Sequence, residues 1–143
     1  MLDELASWNR HYNLTAITER ESMIRAHVLD SLSAQADLQG SLVADVGTGA
    51  GFPGLPLALA EPQRQFTLID SVAKKIRFVS HAVRVLGLTN VAVLSARAES
   101  LTPEPPFDTV VARAFAPLAD LLEAVRGMCG PATRCLLYTS RCV

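Results

Sequence analysis

Several classes are excluded by what this sequence does not contain. No apolar run approaches the roughly 20 residues that a membrane-spanning helix needs, so no membrane partner is expected. The start, Met1-Leu2-Asp3-Glu4, is acidic and has no basic segment ahead of an apolar core. It does not read as a secretion signal, and a cytoplasmic protein is expected. The three cysteines, Cys129, Cys135 and Cys142, all fall in the last fifteen residues. An odd count argues against a disulfide framework and the spacing matches no zinc pattern, so no metal is expected; Cys129 reads as an ordinary core residue. The formal net charge is −1, so no global field draws the protein to nucleic acid, and any RNA contact has to come from a local basic patch. Internal repeats and low-complexity tracts are absent as well.

What the sequence does contain is enough apolar residue for a core, 50% over 143 residues, the size of one domain. Residues 2–12 read as a helix with Leu2, Leu5, Trp8 and Tyr12 near one face. Glu19 to about Ala36 reads as a second helix, with Met23, His27 and Leu32 turned inward. After the break at Leu38-Gln39-Gly40, strands near 42–46, 66–70, 91–95, 108–112 and 134–138 alternate with helices near 54–61, 72–86 and 116–127. Alternation of this kind predicts an α/β fold with a parallel sheet covered on both faces. The expected organisation is an N-terminal helical cap, 1–38, and a core, 39–143.

The segment Asp45-Val46-Gly47-Thr48-Gly49-Ala50-Gly51-Phe52-Pro53-Gly54 lies between an apolar strand and an apolar helix. Glycine lets such a turn take positive φ and lets a ligand lie against bare backbone. The amides that open the next helix favour polar or anionic ligand groups, and Pro53 suits a first-turn position. Gly49-x-Gly51-x-x-Gly54 matches a dinucleotide pattern, but that match alone is weak. Gly47 comes earlier, and Asp45 sits two residues before it. A carboxylate there would repel a pyrophosphate and attract a cation. S-adenosylmethionine carries an ammonium and a sulfonium and no phosphate, so Asp45, Gly47, Gly49 and Gly51 favour that cofactor over NAD. Asp70 ends the second strand, where a carboxylate can accept both ribose hydroxyls of an adenosine; with Ser71 it also reads as the start of the following helix. Asp45, Asp70 and Ala96-Arg97-Ala98-Glu99 all fall at the carboxyl ends of strands, on one edge of the sheet.

Further pieces carry a family resemblance: Asn13-Leu14-Thr15-Ala16-Ile17, His27-Val28-Leu29-Asp30-Ser31-Leu32, Asp70-Ser71 with Lys74-Lys75, Arg97-Ala98-Glu99 and Ala112-Arg113-Ala114-Phe115, in this order around the glycine turn. Together they resemble the bacterial small-subunit ribosomal RNA guanine-N7 methyltransferases, the glucose-inhibited division protein B family, from about Trp8 to about Gly130. The resemblance implies a Rossmann-like class I S-adenosylmethionine-dependent methyltransferase sheet with its last strands missing. It implies methylation of guanine N7 in 16S ribosomal RNA, with the RNA or the 30S subunit as partner; a monomer is expected. It also implies cofactor contacts at Gly47, Phe52, Ala98, Glu99 and Arg113. Another methyltransferase, acting on a small molecule or protein, and a non-enzymatic nucleotide-binding module remain alternatives.

The chemistry is consistent with that implication. Guanine N7 has an in-plane lone pair and no proton, so its methylation needs no general base. No Asp/Asn-Pro-Pro-Tyr segment for amino methylation is present, and no cysteine stands at a strand tip between 42 and 112. Positioning and electrostatics would dominate, and no catalytic acid or base is assigned. Arg97, Arg113 and His27 are the principal RNA candidates, with Arg20, Arg25, Lys74 and Lys75 beside them. Bland readings stand next to these. Glu99 fits a solvated loop charge, Arg113 an ion pair with Asp108 or Glu99, Lys74, Lys75 and Arg77 a solvated face, and His27 a buried histidine near Asp30. Beyond Gly130, residues 131–143 lack the lysine-ended strand the family continues with. They read as a truncated or frame-shifted ending, with lower stability than a full-length relative and loss of activity as the expected consequences.

Overall fold

The structure is a computed structural model that describes residues 1–113 and 116–138. Helix α1 (Leu2–Tyr12) has Asp3 and Glu4 in its first turn and Arg10 and His11 in its last, which complements the helix dipole. It stops at Asn13, a left-handed cap with φ 50°. The next helical stretch is not continuous. Glu19 caps α2 (Arg20–Met23) by accepting from the amides of Glu21 and Ser22. The chain then widens into a π turn, Ile24–Leu29, and recovers in α3 (Asp30–Leu32), with a 3₁₀ turn at Gln35–Asp37. Apolar periodicity places such a segment but does not show where its hydrogen-bond ladder changes pitch.

The core alternates as expected: β1 (Leu42–Val46), α4 (Gly54–Ala60), β2 (Gln65–Asp70), α5 (Ala73–Leu86), β3 (Val91–Ser95), β4 (Phe107–Arg113), α6 (Leu118–Val125) and β5 (Cys129–Tyr138). Short 3₁₀ turns at Ala98–Ser100 and Arg126–Met128 complete it. The five strands are parallel in the order β3-β2-β1-β4-β5. β1 is central, and four of its five residues are buried, which is why Leu42 to Val46 reads as one apolar run broken only by Asp45.

Alternate strand residues feed two apolar layers. Val43, Leu68 and Val111 pack with α4, with Phe78 and Val79 of α5, and with Leu5, Ala34 and Leu38 of the N-terminal segment. Ala44, Ile69, Val110 and Ala112 pack on the other side with Leu121, Val125 and Met128. Helix α5 ends at Gly87, φ 66°, with the Leu88 amide reaching back to the Val83 carbonyl, a Schellman closure.

β5 begins five residues earlier than its sequence implies. Phe107 pairs with Cys129, but Thr109 pairs with Arg134, so the intervening residues bulge out. Pro131 lies in that bulge, where it has no ladder bond to lose. The Thr133 hydroxyl fixes it, accepting from the Gly130 amide and donating to the Phe107 carbonyl. Among the described residues no helix is long and apolar enough to cross a membrane.

Asn90, 5% exposed, places its side-chain nitrogen 3.1–3.3 Å from the carbonyls of Ala58, Glu61 and Arg64. It ties the end of α4 to the entry of β2. Asn90→Ala is expected to lower stability by about 1–3 kcal/mol, since buried carbonyls lose their donor; a urea titration of the two proteins checks this.

Candidate functional site

The sheet order reverses at β1. Connections from β1 run outward to β2 and β3, and the chain then crosses to β4 on the other side. In open α/β sheets the crevice at such a point, beyond the carboxyl ends of the strands, is where ligands bind. Asp45 of β1, Asp70 of β2, the Ala98 turn after β3 and Arg113 of β4 all reach this edge.

The turn after β1 is built from its backbone. The amides of Gly47 and Thr48 donate to the Ile69 carbonyl, and those of Gly51 and Phe52 to the Thr48 carbonyl. Gly47, Gly49 and Gly51 have φ of 70°, 59° and 94°. At Gly49 an added Cβ would meet nothing closer than the Gly47 carbonyl oxygen at 4.0 Å, so the glycine leaves the backbone open to an approaching group. Gly54 answers a different demand. A Cβ there would lie 2.7 Å from both Asp45 Oδ2 and Leu68 Cγ, so only glycine lets α4 approach β1 and β2 this closely. Gly51 is buried against Leu55 and shapes the turn.

Asp45 is 1% exposed. Its Oδ2 accepts from the Thr48 hydroxyl at 2.6 Å and the Gly54 amide at 2.8 Å, while Oδ1 has no hydrogen-bond partner among the described residues. Burial pushes this carboxyl up to about 6, against the pull of those two bonds and of Arg113. The sequence places Asp45 at the tip but does not show that one of its oxygens locks the turn. Asp70 is 8% exposed and also braced: Oδ2 accepts from the Gly49 amide and Oδ1 from the Val72 amide, both at 2.9 Å. Each carboxylate oxygen accepts more than one bond, so capacity for a ligand hydroxyl remains. The Val72 bond closes a turn just ahead of α5 rather than capping it: Val72 is the N-cap, and no side chain bonds the first amides of the helix.

Between the tips of β1, β2 and β3 lies a cleft of about 360 Å³, lined by Gly47, Asp70, Lys75, Arg97, Ala98 and Glu99 among others. That is within the range of small-molecule sites. Ala98 is 8% exposed at its wall. Glu99 and Arg97 are exposed and 3.3 Å apart, close to the solvated loop charge that the bland reading gives Glu99.

Arg113 departs from both ion pairs considered for it. Asp108 is committed elsewhere, its Oδ2 accepting from the Ser41 and Leu42 amides, and Glu99 faces Arg97. The Arg113 guanidinium instead turns to the N-terminal segment. It donates to the Ala26 carbonyl at 3.1 Å and to His27 Nδ1 at 3.4 Å, and lies 3.5 Å from Asp30. It does not line the cleft. His27 is 7% exposed and stacks on Phe52, with centroids 4.6 Å apart at 12°. This burial accords with the buried histidine read beside the RNA role. Phe52 is 3% exposed and also does not line the cleft.

The other basic candidates separate by partner. Arg20 and Arg25 pair with Asp3 and Glu21, whereas Lys75 and Arg97 flank the cleft. Ala114, Phe115 and Cys142 lie outside the described residues.

The rRNA small subunit methyltransferase G model matches residues 1–142. The chain belongs to this family. The match extends past both ends of the stretch from Trp8 to Gly130 on which the resemblance rests. A ribosomal RNA small subunit methyltransferase G from Nitrosococcus oceani is 51% identical over 133 residues, 93% of this chain and 62% of that protein. One from Yersinia pseudotuberculosis is 48% identical over 119 residues, 83% of this chain and 58% of that protein. The chain thus spans about three-fifths of the length of the curated relatives it matches. Among solved structures, coclaurine N-methyltransferase bound to N-methylheliamine and SAH superposes with a TM-score of 0.66 at 20% identity, covering 86% of this chain and 36% of that one. A SAM-dependent methyltransferase from Aquifex aeolicus gives 0.58 at 25% identity, covering 74% and 61%. The five-stranded parallel sheet is therefore the class I methyltransferase fold.

Proposed function

We propose that this chain forms the S-adenosylmethionine site of an enzyme that methylates guanine N7 in 16S ribosomal RNA, working as a monomer in the cytoplasm. The observation that carries the reading is Asp45. A buried carboxylate with one oxygen lacking a partner, beside a bare glycine turn, suits a cationic amino-acid group and repels a pyrophosphate. The donor set therefore fits the cofactor. Asp70 would orient the ribose, and the Ala98 amide with the Glu99 carboxylate would meet the adenine edge.

When bound, S-adenosylmethionine supplies a methyl group on a sulfonium. The residues of this chain bind it, orient it and exclude water. Because guanine N7 presents a lone pair and no proton, no side chain needs to take a proton, and none is assigned to do so. Residues 1–38 are read as a cap over this edge, and Lys75 and Arg97 as the cations nearest an approaching RNA backbone.

The test is transfer of labelled methyl groups to undermethylated 30S subunits, to naked 16S RNA and to small acceptors, followed by mapping of the modified base. The full-length enzyme that carries this site is expected to place label at guanine N7 of the RNA. Label on small acceptors alone would indicate a different methyltransferase, and binding of the cofactor with no acceptor labelled would leave a nucleotide-binding module.

A further inference from the structure

We propose that His27 is a positioning residue: by accepting from Arg113 through Nδ1 while lying flat on Phe52, it holds the tip of β4 and the aromatic of the glycine turn in one arrangement. The proposal rests on reading the cleft as a methyl-donor site, and its first measurement does not depend on that reading.

The tautomer follows from the partners. A guanidinium only donates, so the ring nitrogen 3.4 Å from Arg113 Nη2 has to present a lone pair. The hydrogen then sits on Nε2 and is donated to the Thr15 hydroxyl oxygen at 2.9 Å. That oxygen also accepts from the Ile17 amide. One imidazole thus connects the turn after α1, the π turn that carries it, and the end of β4.

The ring also has a fixed plane. It stacks on Phe52 at 4.6 Å, and the Arg113 guanidinium carbon lies 5.9 Å from the same phenyl centroid, within range of a cation–π contact. The π turn adds its own acceptor, the Ala26 carbonyl at 3.1 Å from Arg113. A protonated ring would set a second cation against the guanidinium. Burial and Arg113 hold the imidazole down at about 4, and Asp30, on the same helical stretch, opposes them less strongly. Phe52 belongs to the turn that bears Gly49 and Gly51, so a displaced His27 would release the side chain that fixes this turn from the cap side.

Two measurements test this on the whole chain. The first is nitrogen-15 NMR of the imidazole. The expected result is a ring protonated at Nε2 that does not titrate between pH 5 and 8 with Arg113 and Asp30 beside it. A ring protonated at Nδ1, or one titrating near the ordinary value of about 6.5, would overturn the proposal.

The second is calorimetric titration with S-adenosylhomocysteine. His27→Asn keeps an acceptor where Nδ1 stands, and His27→Gln keeps a donor where Nε2 stands. The Asn variant should bind within about threefold of the unaltered chain, and the Gln variant about tenfold more weakly, the cost of one bond to a charged donor. Paired with Arg113→Lys, His27→Gln should lose little more, because the two act as a unit. Equal losses in both variants, tracking their melting temperatures, would mean that His27 only fills space, and the proposal would fail. If the unaltered chain does not bind the ligand, the proposed function fails, and the NMR result alone decides His27.

Discussion

Asp45→Asn is expected to weaken binding of S-adenosylmethionine by about 10–100-fold, the loss of a charge-assisted contact worth about 1.5–3 kcal/mol. S-adenosylhomocysteine should weaken in parallel, since it keeps the ammonium. The fold should survive, because an amide oxygen can take the place of Oδ2 and accept from Thr48 and Gly54.

The pH dependence gives this prediction a second, independent readout. Burial raises the Asp45 carboxyl in the folded chain from 3.8 to about 6. A raised folded value means that the folded state holds the proton more tightly than the unfolded state. The stability this group contributes is therefore fully present below pH about 3.8 and lost as pH rises through about 6. A displacement of this size corresponds to about 3 kcal/mol. Relative to the Asn variant, the unaltered chain should become more stable as pH falls from about 7 towards 4. Cofactor affinity should move the other way, falling below pH about 6 as the carboxylate protonates. Thermal melts and calorimetry of both proteins across that window check the two slopes. Parallel melts at every pH would show that the carboxyl is not perturbed.

Gly54→Ala has the largest expected structural effect. Helix propensity alone favours alanine by about 1 kcal/mol. Here the added methyl would lie 2.7 Å from Asp45 Oδ2 and 2.7 Å and 2.9 Å from Leu68 Cγ and Cδ1. Both neighbours are buried, Asp45 at 1% and Leu68 at 0% exposure, so neither can swing into solvent. Overpacking of this kind costs about 1–3 kcal/mol, and the Gly54–Asp45 bond is strained with it. A melting temperature lower by several degrees and weaker cofactor binding are expected together. Gly87→Ala is the control. Gly87 has positive φ, 66°, unlike Gly54, and nothing lies within 4 Å of its added methyl, so that variant should lose stability through its backbone strain without losing affinity. A Gly54→Ala protein that melts higher than the parent would refute the close-approach explanation.

The sequence disclosed the architecture more fully than the site. Strands β1 to β4 were legible because apolar runs of strand length alternate with helical periodicity and are punctuated by glycine and proline. The strand-tip carboxylates were legible because an acidic residue closing an apolar run is rare without a purpose. Three things were not. The π turn at Ile24–Leu29 leaves the apolar pattern almost unchanged, so one continuous helix was the natural reading. The early start of β5 depends on a bulge held by the Thr133 hydroxyl, a tertiary contact. The grouping of His27, Phe52 and Arg113 joins three segments distant in sequence, and neither motif spacing nor charge pairing foretells a guanidinium turned away from Asp108 and Glu99. Gly54 was visible as part of a pattern, but the reason for it, the closeness of Asp45 and Leu68, exists only in the folded chain.

The central claim is that the edge formed by Asp45, Asp70 and the glycine turn selects a cationic methyl donor over a dinucleotide. Isothermal titration of the chain with S-adenosylmethionine and, separately, with NADH tests it most directly. One-to-one binding of the sulfonium cofactor, weakening as pH falls below about 6, with no saturable uptake of NADH, is the result expected. Saturable binding of NADH together with indifference to S-adenosylmethionine would contradict it.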